Sequence, residues 1–584
     1  MKKKFYLLLI SLMICVALSA QTLIDEDFTS GSMPPAGWTI DAHSANWSAE
    51  ETQNAGGTAP EAVFNWSPEF VGTTRLISPS INTEGFANLL IVFNQFLDDY
   101  SGSGYSIGVA SRSASGPWTT VWELDVPGNI GPETKVVLIQ NSDVGSDDFQ
   151  FCIFFDGNSY NLDYWYIDNI EVFVPATTDA EMAALTMPMY SDGEITISGK
   201  VLNMGLDEIT SLDIFTQVDN EPVQDWSYGD LTLTTGNVFD FAGDELDLTP
   251  GDHQFRAWVM YVNGSEDDNP VNDTLEMTLH VASSSVARMP FYEEFTSSTC
   301  GPCATFNTNT FNPWLNVHGD EITLLKYQMS WPSPGDPYYT AEGGTRRYYY
   351  GVGFVPDLYV DGVQTATTGS GINNALNNSL DNPAFAELYA YHAIEGTNIT
   401  VNLDILPYIT GTFEAYIGVF EYITTGNVST NGETEFHHVM MKMMPDADGT
   451  TLELLDGNMI GLEFTTDLST TNVEEMNDLG VVVFLQEPIT RMIFQAAYSE
   501  ASGVGIPDQD NAGSIRFFPS PSSGLLKVSG LNGAVDLSIY TVYGQLVRQI
   551  NGFSNATLDL QDLASGTYFI RTSGTASRMI TISK

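Results

Sequence analysis

The sequence predicts a multidomain, mostly β protein with one α/β segment, and three observations support that fold class. The chain has 584 residues, which is too long for one core and suggests three to five domains. Runs such as "GEITISGKV" from Gly193 alternate apolar and polar residues between Gly, Asn, Asp and Pro clusters, as β-sandwich strands do. Helical spacing replaces this alternation in "CATFNTNTFNPWL" and "GINNALNNSLDN", although Pro313 is expected to end or kink the first helix.

Acidic residues dominate the charged part of the chain. Asp and Glu number 74 against 20 Lys and Arg, spread along the sequence, and the formal net charge is -54. Such charge excludes nucleic acid and anionic membranes as partners, and it predicts either a solvated, salt-tolerant surface or divalent-cation binding. Asp446 and Asp448 before Gly449 form only a fragment of a calcium loop, so calcium has no further support and no cofactor is predicted.

The first twenty residues predict export. Three lysines precede the apolar run from Phe5 to Val16, and small residues follow up to Ala20, which is typical of a secretory signal peptide over 1–20. Its removal takes three positive charges away, so -54 minus 3 gives -57 for the mature chain. Later apolar runs such as "LGVVVFL" are only strand-sized, and no membrane-spanning segment is expected in the mature chain.

The segment 22–174 predicts a binding module. It opens with "DEDFTSGSMPPAGWTID" and closes with "DYWYIDNIEVF", and this pair resembles the MAM-like, cleaved-adhesin jelly-roll domains, which implies adhesion and not catalysis. "GYSIG", Gly104 to Gly108, matches a hydrolase nucleophile elbow in letters only, because the sequence around it continues as a strand. Five aromatic residues are expected either to stack on sugars or to form core: Trp38, Trp118, Trp122, Tyr164 and Trp165.

The next segment, 178–282, predicts a spacer. "VLNMGLDEITSLDI" and "EDDNPVNDTLEMTLHV" alternate as sandwich strands do, and they resemble the immunoglobulin-like (Ig-like) modules of cell-surface proteins. We expect a β-sandwich here without chemistry of its own.

The cysteines predict at most one intramolecular disulfide after export. Cys152 lies in the strand pattern "DFQFCIFF" and is expected to be a buried, inert thiol. Cys300 and Cys303 form a Cys-Gly-Pro-Cys between a strand and a helix, and a helix start lowers the pKa of a thiol. Cys300 is then the exposed attacking sulfur and Cys303 the resolving one.

A zinc site is disfavoured at the cysteine pair. Only two thiols are close together, and His318 has no second histidine near it in the sequence. His437 and His438 are adjacent on a predicted strand and are expected to point to opposite faces. Three interpretations of the pair remain: an active redox site, a stable or vestigial disulfide, and a metal site.

The region 286–384 resembles thioredoxin. "RMPFYEEFTSSTCGPC" carries the full Cys-Gly-Pro-Cys, and "GFVPDLYVDG" fits the loop that faces the pair in that family. The resemblance implies that Glu294 is the buried proton acceptor, that Pro356 is the cis-proline, and that the Val355 backbone meets a substrate chain. Thr299 departs from the family, which has tryptophan there.

An insertion also departs from thioredoxin. It covers Ser330 to Tyr350 and contains Arg346 and Arg347, which either raise the local potential at the cysteine pair or are solvated or bridged to nearby acids. Over about 286–500 the chain resembles outer-membrane-associated proteins in which a thioredoxin-like half precedes a β-sandwich, here 385–503.

The last segment, 507–584, predicts a sorting signal for secretion. "IRFFPSPSSGLLKVSG" and "LDLQDLASGTYFIRTSG" resemble the C-terminal type A sorting domain of type IX secretion, although Ser520 replaces the usual Asn. The resemblance implies the type IX machinery as a partner, a Gram-negative source, and a secreted or cell-surface protein associated with the outer membrane.

Two functions follow from these segments. The first is thiol-disulfide exchange with protein thiols or disulfides through Cys300 and Cys303, with Glu294 and Pro356 in the roles above. The alternative is a non-enzymatic surface protein that binds glycans or proteins and uses the thioredoxin-like fold as a scaffold.

Overall fold

The structure is a computed structural model. It describes residues 21–100, 102–113, 116–501, 516–518, 522–529, 533–541, 545–554, 557–572 and 578–582. The predicted signal peptide, Ser520 and Lys584 lie outside these residues. Strands dominate, and the prediction of a mostly β chain is confirmed. No helix in the described ranges has both the length and the apolar character needed to cross a membrane.

The first unit is a sandwich of two antiparallel sheets. One sheet has the order β3-β4-β11-β6-β9 with β1 paired to β11, and the other has the order β2-β5-β10-β7-β8. Its strands are β1 Gln21–Glu26, β2 Thr39–Ile40, β3 Trp47–Glu50, β4 Glu61–Asn65, β5 Val71–Ile77, β6 Leu89–Asp99, β7 Tyr105–Arg112, β8 Thr119–Asp125, β9 Ile130–Ile139, β10 Gln150–Asn158 and β11 Leu162–Val174. Short 3-10 turns cover Ser44–Asn46 and Ser159–Asn161.

Two sequence predictions within this unit are confirmed. "GYSIG" continues as strand β7, so the sharp strand-to-helix turn of a nucleophile elbow is missing there. Cys152 is fully buried on β10, and burial raises the pKa of its thiol to about 12, which keeps it protonated and unreactive.

The second unit is also a sandwich, with sheets β12-β14-β17 and β13-β19-β18-β15-β16. Its core forms because strands such as β14 bury alternate residues against the facing sheet. The strands are β12 Ala180–Leu185, β13 Tyr190–Ser191, β14 Glu194–Asn203, β15 Leu212–Val218, β16 Gln224–Tyr228, β17 Val238–Asp247, β18 Gly251–Val262 and β19 Thr274–Val281.

Strands and helices alternate in the third region. Strands β20 and β21 pair in parallel and are buried along their whole length, because helices and a facing layer cover both faces. The elements are β20 Phe291–Thr296, α1 Gly301–Phe306, a π-helical turn Asn307–Phe311, α2 Asn312–His318, a 3-10 turn Gly319–Glu321, β21 Thr323–Gln328, α3 Ala341–Tyr350, β22 Asp357–Val360, β23 Val363–Thr365 and α4 Gly369–Leu380.

The sheet of this region continues into the sandwich that follows it. Its order is β23-β22-β20-β21-β27-β26-β30-β31, with β28 paired to β26, and the facing sheet is β29-β25-β24-β32. The added strands are β24 Ala386–Glu395, β25 Asn398–Pro407, β26 Gly411–Thr424, β27 Phe436–Met444, β28 Thr450–Leu454, β29 Ile460–Asp467, β30 Leu479–Gln486, β31 Ile493–Tyr498 and β32 Glu500–Ala501. Because the region 286–384 shares one sheet with the sandwich after it, the structure does not separate it as a domain of its own. The thioredoxin-like domain over 286–384 therefore stays a prediction.

The C-terminal unit is small. Its sheets are β33-β34-β37 and β36-β35-β38-β39, around a core that includes Leu526, Leu537 and Ile570. The strands are β33 Arg516–Phe518, β34 Leu525–Ser529, β35 Val535–Thr541, β36 Leu546–Phe553, β37 Thr557–Asp559, β38 Gly566–Thr572 and β39 Arg578–Ile582.

Candidate functional site

Cys300 and Cys303 form a disulfide at the start of α1. The two Cα atoms lie 5.2 Å apart, and the Cys303 N–H donates to Cys300 Sγ at 3.0 Å, so Cys300 caps the helix. Pro302 fits here because the first helical turn does not use its missing N–H. The local sequence thus fixes the pair at the junction of β20 and a helix, as predicted.

The attacking sulfur is not exposed, and that prediction is wrong. Cys300 is 2% exposed and Cys303 is fully buried. Thr299 Oγ1 donates to Pro332 O at 2.6 Å, and the Ser298 N–H donates to Asp336 Oδ2 at 2.8 Å. The insertion therefore packs on the turn that carries the pair, which could not be seen from the pair's own sequence.

Pro356 lies on a loop that reaches the disulfide. The Val355–Pro356 peptide is cis, and Val355 O lies 3.5 Å from Cys300 Sγ. This loop leads into β22, which pairs with β20, so the sheet holds the loop and the cysteine turn side by side.

Glu294 is fully buried on β20 and forms an ion pair with the Nζ atom of Lys326 on β21, at 2.6 Å. The same Nζ donates to Asn307 Oδ1 at 3.0 Å. Neither Glu294 oxygen accepts any other hydrogen bond from the described residues.

The two arginines of the insertion have different surroundings. Arg346 is fully buried, and its Nη2 lies 2.8 and 3.0 Å from the two Glu293 oxygens, while Nη1 donates to Gln486 Oε1 at 2.9 Å. Arg347 Nε donates to Val352 O at 2.9 Å. The sequence left open whether the arginines act on the cysteine pair, are solvated or bridge to acids. Arg346 does bridge to an acid, Glu293, and it does so in the core of the protein.

The five aromatic residues expected on the first sandwich mainly form core. Trp38 and Trp165 are buried, and Trp118, Trp122 and Tyr164 are partly buried. Cationic groups cover two of these rings, with the Arg112 guanidinium 4.3 Å from the Trp118 centroid and Lys135 Nζ 4.5 Å from that of Trp122. These positions fit the interpretation that the five residues form core, and not the interpretation that they stack on sugars.

Three other rings of this sandwich are exposed together, and sequence analysis missed them. Trp66 is 37%, Tyr100 59% and Tyr160 45% exposed. The Tyr160 centroid lies 5.7 Å from that of Trp66 and 5.4 Å from that of Tyr100, with the ring planes nearly perpendicular in both pairs. We call these three residues the aromatic patch.

Strand topology brings the aromatic patch together. Trp66 follows β4, Tyr100 follows β6, and Tyr160 lies in the 3-10 turn just before β11, which pairs antiparallel to both of the other strands. Buried Ser159 fixes the turns, since its Oγ donates to Trp66 O at 2.9 Å and accepts from the Phe70 N–H at 2.9 Å. One sequence signal could have identified this patch, namely an aromatic residue directly after a strand, as at Trp66 and Tyr100.

Carboxylates lie on the strands next to the aromatic patch: Asp98 on β6 is two residues before Tyr100, and Asp163 on β11 is three residues after Tyr160. Burial and the neighbouring Asp163 carboxylate raise the pKa of Asp98 to about 6, and burial also raises the pKa of Asp163. Asn129 Nδ2 donates to Asp98 Oδ1 at 3.3 Å. The surface thus combines apolar ring faces with hydrogen-bond acceptors.

The histidines do not behave as expected. His437 and His438 line the same cleft, because His438 has a φ of +55° and the strand does not alternate regularly there. His318 Nδ1 lies 2.7 Å from Glu321 Oε2. Within the described ranges, no group of three or more His, Cys, Asp or Glu side chains is placed to hold a metal ion.

The C-terminal unit matches a known family. Residues 516–582 match the secretion system C-terminal sorting domain, and this type IX address indicates a secreted, cell-surface protein. Comparison with curated proteins yields no match.

Several solved structures are similar to parts of the chain. HBP35 of Porphyromonas gingivalis is 14% identical, with 51% of this chain and 99% of that chain covered and a TM-score of 0.31. The K3 cleaved adhesin domain of Lys-gingipain from Porphyromonas gingivalis is 15% identical over 26% of this chain and 99% of that chain, with a TM-score of 0.20. TmCBM61 in complex with β-1,4-galactotriose is 16% identical over 26% of this chain and 94% of that chain, with a TM-score of 0.21.

Proposed function

We propose that this secreted surface protein is an adhesion protein that binds neutral glycans through the aromatic patch. The observation that carries the proposal is the clustering of Trp66, Tyr100 and Tyr160 as exposed rings on turns that buried Ser159 holds by hydrogen bonds. Exposed apolar clusters of this kind are uncommon on a protein surface without a partner. The match to a type IX sorting domain supports export to the cell surface, where the aromatic patch would meet extracellular glycans.

The chemistry of the aromatic patch suits a sugar. The C–H face of a pyranose ring packs on an aromatic ring, while its hydroxyl groups donate to nearby carboxylates such as Asp163. The chain carries a formal charge of -54, which repels acidic polysaccharides and favours neutral ones. The rings lose little conformational freedom on binding, because strands and turns already hold them.

The test compares ring removal inside and outside the aromatic patch. Titrating the full chain with neutral galactan, glucan and mannan oligosaccharides should identify a ligand by calorimetry. Trp66→Ala and Tyr160→Ala should then each weaken binding about tenfold, the effect of losing one stacked ring. Tyr348→Ala, which removes an exposed ring from α3, should leave affinity unchanged. Absence of binding to every neutral oligosaccharide, or equal affinity in all variants, would reject the proposal.

We propose thiol-disulfide exchange in a thioredoxin-like region as a second function. The observation that favours it is the grouping of the Cys300–Cys303 disulfide with the Pro356 loop and, on the neighbouring strand, a buried Glu294. A partner thiolate would attack Cys300 Sγ, and Cys303 would leave as a thiolate that takes up a proton. A second partner thiolate would then attack the partner's own sulfur, releasing Cys300 and forming the partner disulfide. The partner loses two electrons, which the cysteine pair gains.

Single-cysteine variants test this second function. Reduced Cys303→Ala should form a mixed disulfide with glutathione disulfide at Cys300, many-fold faster than reduced Cys300→Ala does at its fully buried Cys303. Adding Asp336→Ala to Cys303→Ala should accelerate the reaction further, because it removes one of the bonds that hold the insertion on the cysteine turn. The readout is the mass of the full chain over time. Equally slow reactions in all three variants would identify the pair as a structural cross-link.

A further inference from the structure

A cavity lies where α2 and its following turn face strands β26, β27 and β31. Its volume is about 890 Å³. We call it the His438 cleft, because His438 lies on its wall. It is independent of both functions proposed above, since it contains neither the aromatic patch nor the cysteine pair.

One wall of the His438 cleft is aromatic. Tyr422 is 41% exposed, and its ring centroid lies 5.5 Å from that of His438. The His438 ring stacks on buried Phe420, with centroids 5.1 Å apart, and the Tyr498 ring lies 6.5 Å away. Tyr498 is fixed, because its hydroxyl accepts from the Leu324 N–H at 2.9 Å.

His438 is held in a costly state. Its φ of +55° is a left-handed conformation that costs a residue with a side chain free energy, and such strain is concentrated at functional positions. Its Nδ1 is buried and has no hydrogen-bond partner among the described residues. Burial, with smaller contributions from Lys326 and His437, lowers the pKa of His438 to about 3, so the ring is neutral and can accept a hydrogen bond.

The charged side chains that line the His438 cleft are all acidic. Glu433 and Glu435 precede β27, and Asp320 lies in the turn after α2. No Lys or Arg is among the residues that the structure places on the lining. The nearby Lys326 Nζ is buried behind the wall and occupied by Glu294 and Asn307.

We infer that the His438 cleft binds an organic cation with N–H donors, that is, an alkylammonium or guanidinium group. The aromatic wall attracts a cation through the ring faces, and the carboxylates neutralise its charge and accept its hydrogen bonds. The group can come from a free amine or from a lysine or arginine side chain of a peptide, and the volume admits either.

The experiment titrates the full chain, at physiological ionic strength, with cadaverine, arginine methyl ester and a short lysine peptide. N-acetylnorleucine amide serves as the uncharged probe of similar shape. The charged probes should bind in a saturable way and the neutral one should not. Tighter binding of the peptide than of cadaverine assigns the source to a protein, whereas equal binding assigns it to a free amine.

Variants locate the binding. Tyr422→Leu and Glu435→Gln should each weaken it about threefold to thirtyfold, the range expected for a lost cation–π contact or ion pair. Glu463→Gln removes an exposed carboxylate from β29, on the facing sheet, and should have no effect. Equal binding in all three variants would show only non-specific attraction to an acidic surface, and it would overturn the inference. Binding of the neutral probe, or no binding of any probe, would overturn it as well.

Discussion

At the scale of single residues, Arg346 connects three parts of the central region. It lies on α3, its guanidinium pairs with Glu293 on β20, and it donates to Gln486 on β30. The Tyr350 hydroxyl also donates to Glu293, at 2.6 Å. Removing only the cation would leave a buried carboxylate without an opposite charge beside it, which costs more than the pair contributes.

We therefore expect Arg346→Met to lower the free energy of unfolding by about 3–5 kcal/mol, the cost of breaking a buried pair. Urea unfolding of the full chain, followed by near-ultraviolet circular dichroism, measures this change. Arg347→Met serves as the control and should cost far less, since Arg347 is only partly buried. The double variant Arg346→Met with Glu293→Gln should recover part of the loss. Equal effects of the two arginine variants would contradict this account.

Residues that follow local rules were predictable. Cys152 could be recognised as buried from the alternation of its strand. The left-handed backbone of His438 could not be predicted, because the strand pattern around it gives no sign of the irregularity. Trp66 and Tyr160 were missed for a related reason: their clustering depends on which strand ends meet in the sheet.

At the scale of elements, the helix after the cysteine pair shows how a local rule can be modified. Pro313 was expected to end or kink the helix. A π-helical turn, Asn307–Phe311, precedes it instead, and Pro313 then falls in the first turn of α2, where its missing N–H is not needed. The chain thus stays helical from α1 to α2 with altered hydrogen bonding.

The helix α4 could be predicted from its own sequence, whereas the strand pairing in the central sheet could not. The helix was expected from "GINNALNNSLDN" and spans Gly369–Leu380, with the Thr368 side chain accepting from the Gly371 N–H at 3.1 Å. By contrast, β21 meets β27 at Lys326 and Val439, more than a hundred residues apart. Pairing over such a distance leaves no periodic signal in the sequence.

At the scale of the whole molecule, buried carboxyl groups oppose stability at neutral pH. Burial raises the pKa of five Asp side chains above their usual 3.8, to about 7 for Asp273 and Asp357 and to about 6 for Asp98, Asp168 and Asp179. The folded chain therefore holds protons that the unfolded chain has lost. The stabilisation is complete below the unfolded pKa and disappears as pH rises through the folded pKa.

We expect the thermal unfolding midpoint to rise by several degrees between about pH 8 and about pH 6, at constant ionic strength. His392 is buried and His437 and His438 are partly buried; burial lowers the pKa of all three, and they act in the opposite direction only below about pH 6.5. Asp273→Asn should flatten the profile, because it removes one of the two highest pKa values. A midpoint that is highest at about pH 8 would contradict this linkage.

The shared sheet of the central region also has a consequence for evolution. Because β21 lies between β20 and β27, a gene fragment that ended near residue 384 would encode a protein with an unpaired strand edge and half of a hydrophobic core, which contains Phe291 from β20 and Phe484 from β30. We therefore expect the stretch from β20 to β31 to be inherited as one unit, so that relatives with the cysteine turn also have the sandwich behind it.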